Sequence, residues 1–339
     1  MFIKPPASSK HEKTKTKQKC GNIISNYETM IVQFSHNGKE INLTRRSKKN
    51  GEAYKFETPT AGYRYWNNEE EHKRKFIKQK GLYLENLGDT FSQTPKEADL
   101  FFWGEWEPQS KFELTGNPFT GAGLPHAIHF PMFSKRGIGR HNTDPFVFGE
   151  SFYYTNCKQK ETGVGRRMLD LQEDSIILFG SEKGGNEFII DTVFVVQCSE
   201  TVNDYKGHPN TYPQMLREAT IELNGGLKNW HKLYKGKMYN NKTAYSSDNS
   251  STFCFFPCKT DCGNQGFERP VIDWQKFKLQ KPGAGTVLHE VSYKSEYDFW
   301  SDLVAELLIQ GFSLGIQLEM PKNNDACDFP EYEEKKKGC

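Results

Sequence analysis

No stretch of this chain approaches the roughly 20 consecutive apolar residues that a membrane-crossing helix needs, and hydrophobic residues make up only 35% of it. Its first residues carry charge throughout and lack the apolar segment of a secretory leader. These two absences set the expectation of a cytoplasmic protein with no membrane partner, and make the three Asn-x-Ser/Thr matches at Asn42, Asn241 and Asn249 chance occurrences. A strong excess of one charge is missing as well. The net charge of +2 neither requires nor forbids a nucleic-acid partner, because a local basic patch can hide inside a balanced total. No paired Cys-x-x-Cys knuckle exists, and eight scattered cysteines suit reduced thiols better than a disulfide framework. Neither a repeat of fixed period nor a linker interrupts the chain, so a single β-rich domain over residues 30–325 is expected.

What the chain has in quantity is aromatic residues, 14% of the total with 25 Phe and 15 Tyr. Such a protein builds its core from rings, each carrying a large buried area. The strongest local pattern is a pair of runs, Ser175–Phe179 and the β-branched Phe188–Cys198, joined by a segment with three glycines. The connection is too short for a parallel crossover, so the two are expected as adjacent antiparallel strands. Further strands are expected after Met30, at Asp99–Trp106, along the extended Leu124–Phe133, at Thr252–Phe256 and after Gly311. EEEHKRKFIKQKG reads as a short helix, with acids first, bases later and a glycine stop. RRMLDL and Pro213–Leu223 read as further short helices. The clearest helix starts at Ser295 with Asp298 three residues on, and lines up Phe299, Leu303, Leu307 and Leu308 on one face.

Two constellations could carry chemistry. In the first, His72, Arg74 and Lys75 lie on the expected short helix, and Glu105 and Glu107 occupy alternate positions of a strand. Carboxylates there are costly to bury alone, so they call for cations or a metal. A nuclease or phosphoryl-transfer site would use Glu105, Glu107, Lys75 and His72 with Mg²⁺ or Mn²⁺. Glu-Trp-Glu lacks the terminal lysine of restriction-type nuclease motifs, which favours an ion-paired sheet surface. In the second, Asn142, Asp144, Asn156 and Lys158 alternate with rings that include Phe148 and Tyr154, and Arg140, Arg166 and Arg167 stand near. Rings stack bases, amides and carboxylates read base edges, and cations attract phosphate. The same alternation is what a strand with a buried aromatic face would show. Cys254, Cys258 and Cys262 are spaced four and four, which misses the common zinc pattern. Cys157 beside Lys158 could be a reactive thiol, although a buried inert one suits the setting better.

The string of short helix, Leu-x-x-Asp turn, ILFGS, loop and long β-branched strand resembles the barrel core of PUA-like domains of the ASCH and EVE types. Upstream, NTDPFVFG…TNCKQ is similar to the Asn-Pro-Phe…Cys-Lys-Pro pattern of nucleotide-modification-associated domains. The resemblance covers about Asn142–Cys198, with Gln159 where that pattern has proline and Glu173–Asp174 in place of Gly-Asp. It implies a small barrel whose mouth reads a base or nucleotide, often a modified one, in a bacterial or phage modification or defence setting. The expected fold is therefore α+β: a β-rich, mixed or antiparallel, barrel-like sheet with a PUA-like core at about 140–200 and a few peripheral helices. Nucleic-acid or nucleotide binding is the expected function and needs no cofactor. The metal-dependent enzyme is the alternative.

The ends read differently from the middle. Residues 1–29 hold six lysines in the first twenty positions with no apolar period, the mark of a disordered basic arm. Translation could start at Met1 or at Met30. Residues 326–339 read as a charged tail. Deleting residues 1–29 should leave the melting temperature almost unchanged in a thermal scan, and a drop of several degrees would show that the arm is docked.

Overall fold

The computed structural model describes residues 28–35, 48–49, 52–53, 64–66, 74–85, 94–108, 110–117, 123–133, 142–184, 187–222, 227–240, 252–280 and 288–323. The basic arm up to residue 27, His72, Arg140 and the C-terminal tail lie outside the described residues. Among those described, the fold is β-rich α+β, with two large sheets sharing one aromatic core.

The first sheet is mixed and seven-stranded. Its order runs Leu288–Val291, Ile31–Ser35, Ile176–Gly184, Glu187–Thr201, Lys232–Gly236 and Tyr153–Tyr154, with Val271–Asp273 beside one end of Glu187–Thr201. The two runs expected as a pair are antiparallel neighbours, with Ile176 opposite Val195 and Leu178 opposite Val193. Their register slips at Phe179/Gly180. A Cβ on Gly180 would lie 2.1 Å from the Ile189 carbonyl oxygen, so the strands close up there only because the residue is glycine. Ile31–Ser35, the strand expected after Met30, pairs in parallel with Ile176–Gly180.

The second sheet has eight strands, and four of them close on themselves. Arg74–Leu84 pairs with Lys96–Glu105, that strand with Phe256–Lys259, that one with Ser313–Leu318, and the last returns to Arg74–Leu84, every pairing antiparallel. The closed ring is thus built outside residues 140–200. That region instead supplies the open mixed sheet, because its long strand continues into pairing with Lys232–Gly236. The rest of the second sheet is Ala127–Phe133, Ser110–Leu114 and Arg64–Trp66, with Lys322–Asn323 along Ala127–Phe133.

The helix expected at EEEHKRKFIKQKG is, from Arg74 on, the 11-residue strand Arg74–Leu84. Its acid-then-base order suits a helix dipole, but Lys78 meets Asp99 and Lys80 meets Glu97 across the strand pair instead. Phe76 and Ile77 are fully buried, so both faces of the strand's start pack, and partner burial overrides local propensity. RRMLDL forms a 3₁₀ turn, Gly163–Leu169, and the Pro213 segment a short α-turn running into a π-turn, Gln214–Leu216 and Arg217–Ile221.

Glu296–Ile309 is the expected helix. The Ser295 hydroxyl accepts from the Asp298 backbone N–H at 3.0 Å, and the helix stops before Gly311 at φ +75°. It buries Phe299, Trp300, Leu303, Val304 and Leu307. The Trp300 indole N–H donates to the Phe253 carbonyl at 2.9 Å, satisfying the ring's only polar atom. No helix among the described residues is long and apolar enough to cross a membrane. Cys157, Cys254, Cys258 and Cys262 are free, whereas Cys198 is disulfide-bonded, against the expectation of reduced thiols throughout. Trp300→Ala should cost about 3–5 kcal/mol in urea unfolding. A loss no larger than a surface substitution's would show that the helix is not part of the core.

Candidate functional site

The two constellations read separately from the sequence meet in one buried polar network. It begins where Arg74 faces Glu105 across the strand pair. The Arg74 guanidinium lies 2.5 Å from a Glu105 carboxylate oxygen and 2.6 Å from Asp191 on the other sheet, all three side chains at most 3% exposed. Burial by itself would lower the arginine pKa, but Asp191 and Glu105 outweigh it and hold the group raised and charged. Arg269 approaches the second Asp191 oxygen at 3.9 Å and lies over the Trp103 ring.

The strand ends at Glu105, so the two carboxylates take different partners. Glu107 donates its backbone N–H to the Thr143 hydroxyl at 3.0 Å, and its carboxylate accepts from the backbone N–H of Asn142. Lys75 is buried beside them and donates to the Pro108 carbonyl at 3.2 Å. Burial brings its pKa down to about 7, against the pull of Glu107 and Glu105. His129 shares a 2.8 Å hydrogen bond with Ser110, and burial, helped by Lys75, holds its pKa well below the usual value.

Asn142 carries the network onward. Its amide donates to the Cys157 sulfur at 3.0 Å and accepts from Asn156, which also donates to the Thr220 carbonyl at 3.2 Å. Asp144 accepts three successive backbone N–H groups, Thr155, Asn156 and Cys157, at 2.7–2.9 Å. Burial raises its pKa to about 6 in spite of those bonds. Cys157 has its thiol pushed well up by burial and by Asp144, so it is protonated and not the nucleophile that Lys158 suggested.

The expected stacking rings are core. Phe148 packs against Trp106 at 4.9 Å, and Tyr154 stacks on Tyr234 beside Phe34, Phe179 and Phe194. Their alternation with polar residues is that of a buried segment whose amides and carboxylate tie down neighbouring backbone. Of the residues expected to bind, Lys158 and Arg166 stay exposed. The three clustered cysteines bond to separate carbonyls, those of Val195, Ser313 and Gly263. Among the described residues no three His, Cys, Asp or Glu side chains converge in a metal-holding group.

Arg166 opens onto a surface depression of about 480 Å³ that the sequence did not mark. Leu169 and Trp230 line it with apolar surface, Glu161 and Asp170 with carboxylates, and Arg166 and Lys232 with cations. Gln159 fixes one wall, donating to the Lys232 carbonyl at 2.9 Å and accepting its N–H at 2.7 Å. A tight turn, closed by the His231 N–H on the Lys228 carbonyl at 2.8 Å, presents Trp230, which is 37% exposed. Lys228 lies over that ring, its ammonium 5.3 Å from the ring's centre. Burial lowers the Lys232 pKa, Asp170 opposing and Arg166 adding to the effect. A lone tryptophan between Asn229 and His231 has no periodic signal, which is why pattern reading passed over it. No family model, curated protein or solved structure matches the chain.

The buried network has a pH signature. With a folded pKa of about 7 for Lys75 against 10.5 when free, the unfolded chain binds more protons between those values, so wild-type stability gains as pH climbs through that window. Lys75→Met lacks this gain. Urea unfolding across the window should show the variant's stability, relative to wild type, falling as pH rises. Parallel curves would mean that the ammonium is hydrated.

Proposed function

We propose that this protein binds nucleic acid or a nucleotide at the Trp230 depression. One observation carries the reading: Trp230, 37% exposed, stands in a concave site with Arg166 and Lys232, and Lys228 lies near its ring. A base has a π-face to stack on such a ring, and the phosphate attached to it is met by the cations. The earlier resemblance to nucleotide-reading domains supports the same class, including modified bases, through a stretch that forms one wall of the depression.

The alternative, a metal-dependent nuclease at Glu105 and Glu107, draws less support. Mg²⁺ or Mn²⁺ would have to displace Arg74 from Glu105 and the Asn142 N–H from Glu107, both inside the core. Removing a partner from a buried charge costs several kcal/mol. Glu105 reads as a structural ion-pair member, and Glu107 as the buried acceptor of a backbone N–H.

Titration with nucleotides and short single-stranded oligonucleotides, followed by calorimetry across salt concentrations, tests the reading. Trp230→Ala should weaken binding about fivefold to 150-fold, the loss of one stacked base. Arg166→Ala should weaken every sequence alike and flatten the salt dependence by about one ion. Both variants should melt like wild type, since both side chains are solvent-exposed. Unchanged affinity in Trp230→Ala would sink the proposal.

A further inference from the structure

Asp170 is the least explained group in the depression. It caps the Gly163–Leu169 turn, its backbone N–H bonded to the Arg167 carbonyl, so the backbone beneath its side chain is held. Its carboxylate is 22% exposed and its nearest cation, Arg166, stands 3.5 Å away, while Arg166 itself is 56% exposed. Among the described residues the carboxylate accepts no hydrogen bond. A half-buried carboxylate with open lone pairs, beside a stacking ring, is a hydrogen-bond acceptor with two adjacent oxygens and nothing to receive.

We infer that the depression selects guanine nucleotides, with Asp170 accepting from the base edge while Trp230 stacks it and Arg166 and Lys232 meet oxygen atoms of the base and phosphate. This rests on the nucleotide-binding reading above. The selection follows from the bases' own edges. Guanine presents two adjacent donors, N1–H and the 2-amino group, which match the two oxygens of a carboxylate. Adenine and cytosine each offer one amino donor beside a ring-nitrogen acceptor, whose lone pair would face a carboxylate oxygen. Thymine and uracil offer one donor flanked by two carbonyls. A carboxylate therefore bonds guanine twice and repels part of every other edge. The guanine O6, an acceptor, is left for a cation, and Lys232 supplies it while Arg166 meets the phosphate.

The test uses the full chain and the 5′-monophosphates of guanosine, adenosine, cytidine and xanthosine, titrated by calorimetry. Wild type should bind the guanosine nucleotide about 5- to 150-fold more tightly than the adenosine and cytidine ones, the discrimination of one bidentate contact. In Asp170→Asn the side chain becomes one acceptor and one donor. Xanthine pairs N1–H with a 2-carbonyl, so this variant should lose the guanosine preference and gain affinity for the xanthosine nucleotide. A gain of that kind cannot come from damage to the fold, and the wild-type panel decides the question even if the variant is unstable. Equal binding of guanosine, adenosine and cytidine nucleotides by wild type would overturn the guanine inference and leave nucleotide binding standing. No binding of any nucleotide would overturn both.

Discussion

Arg74 is the group on which the arrangement turns. Its guanidinium joins Glu105 of the closed ring to Asp191 of the open sheet in the dry region between them. The planar fork of arginine can serve two carboxylates at once, and its charge survives burial, which a lysine's would not. Lys75, one residue on, illustrates the difference: burial brings it to the edge of neutrality. Removing the guanidinium would leave two buried carboxylates without their shared cation, so the three residues constrain one another.

From that junction the polar chain runs outward through Glu107, Asn142 and Asn156 to Thr220. It fastens a segment with little regular structure, residues 142–160, to the end of strand Lys96–Glu105 on one side and to the Arg217–Ile221 turn on the other. Asp144 does for Thr155–Cys157 what a strand partner would otherwise do, accepting N–H groups that no neighbouring strand reaches. The segment's rings can then fill the core without being part of a long strand. Gln159 extends the same device to Lys232 and so gives the surface depression a fixed wall.

Much of the framework was legible in the sequence. The antiparallel pair around Gly180–Asn186, the strand after Met30 and the Ser295 helix rest on local signals: β-branched runs, a short glycine turn, a cap and a stop. Arg74–Leu84 was not legible as a strand, because its charges obey helical order and the strand that pairs with it begins beyond Leu84. The polar residues of 142–158 stand out in the sequence, but the groups they bond to, Glu107 and Thr220, lie far along the chain and no spacing rule connects them. The rings among them were core for the ordinary reason that alternate positions of a packed segment point inward. Trp230 and Asp170 escaped notice because a depression assembled from two separate turns leaves no periodicity in either. Composition alone, rich in rings and poor in aliphatics, anticipated the aromatic character of the interior.

The parallel pairing of Ile31–Ser35 has a consequence for the order of assembly. Met30 and Ser175, joined by a hydrogen bond at one end of that pairing, are 145 residues apart in the chain. The other neighbour, Leu288–Val291, is further still. During synthesis this strand has no partner until the 145 residues up to Ser175 have followed, and its second edge stays open until Leu288–Val291 has been made. Contacts of such long sequence separation make folding slow relative to translation. The nascent chain therefore carries an unpaired apolar edge across that whole interval.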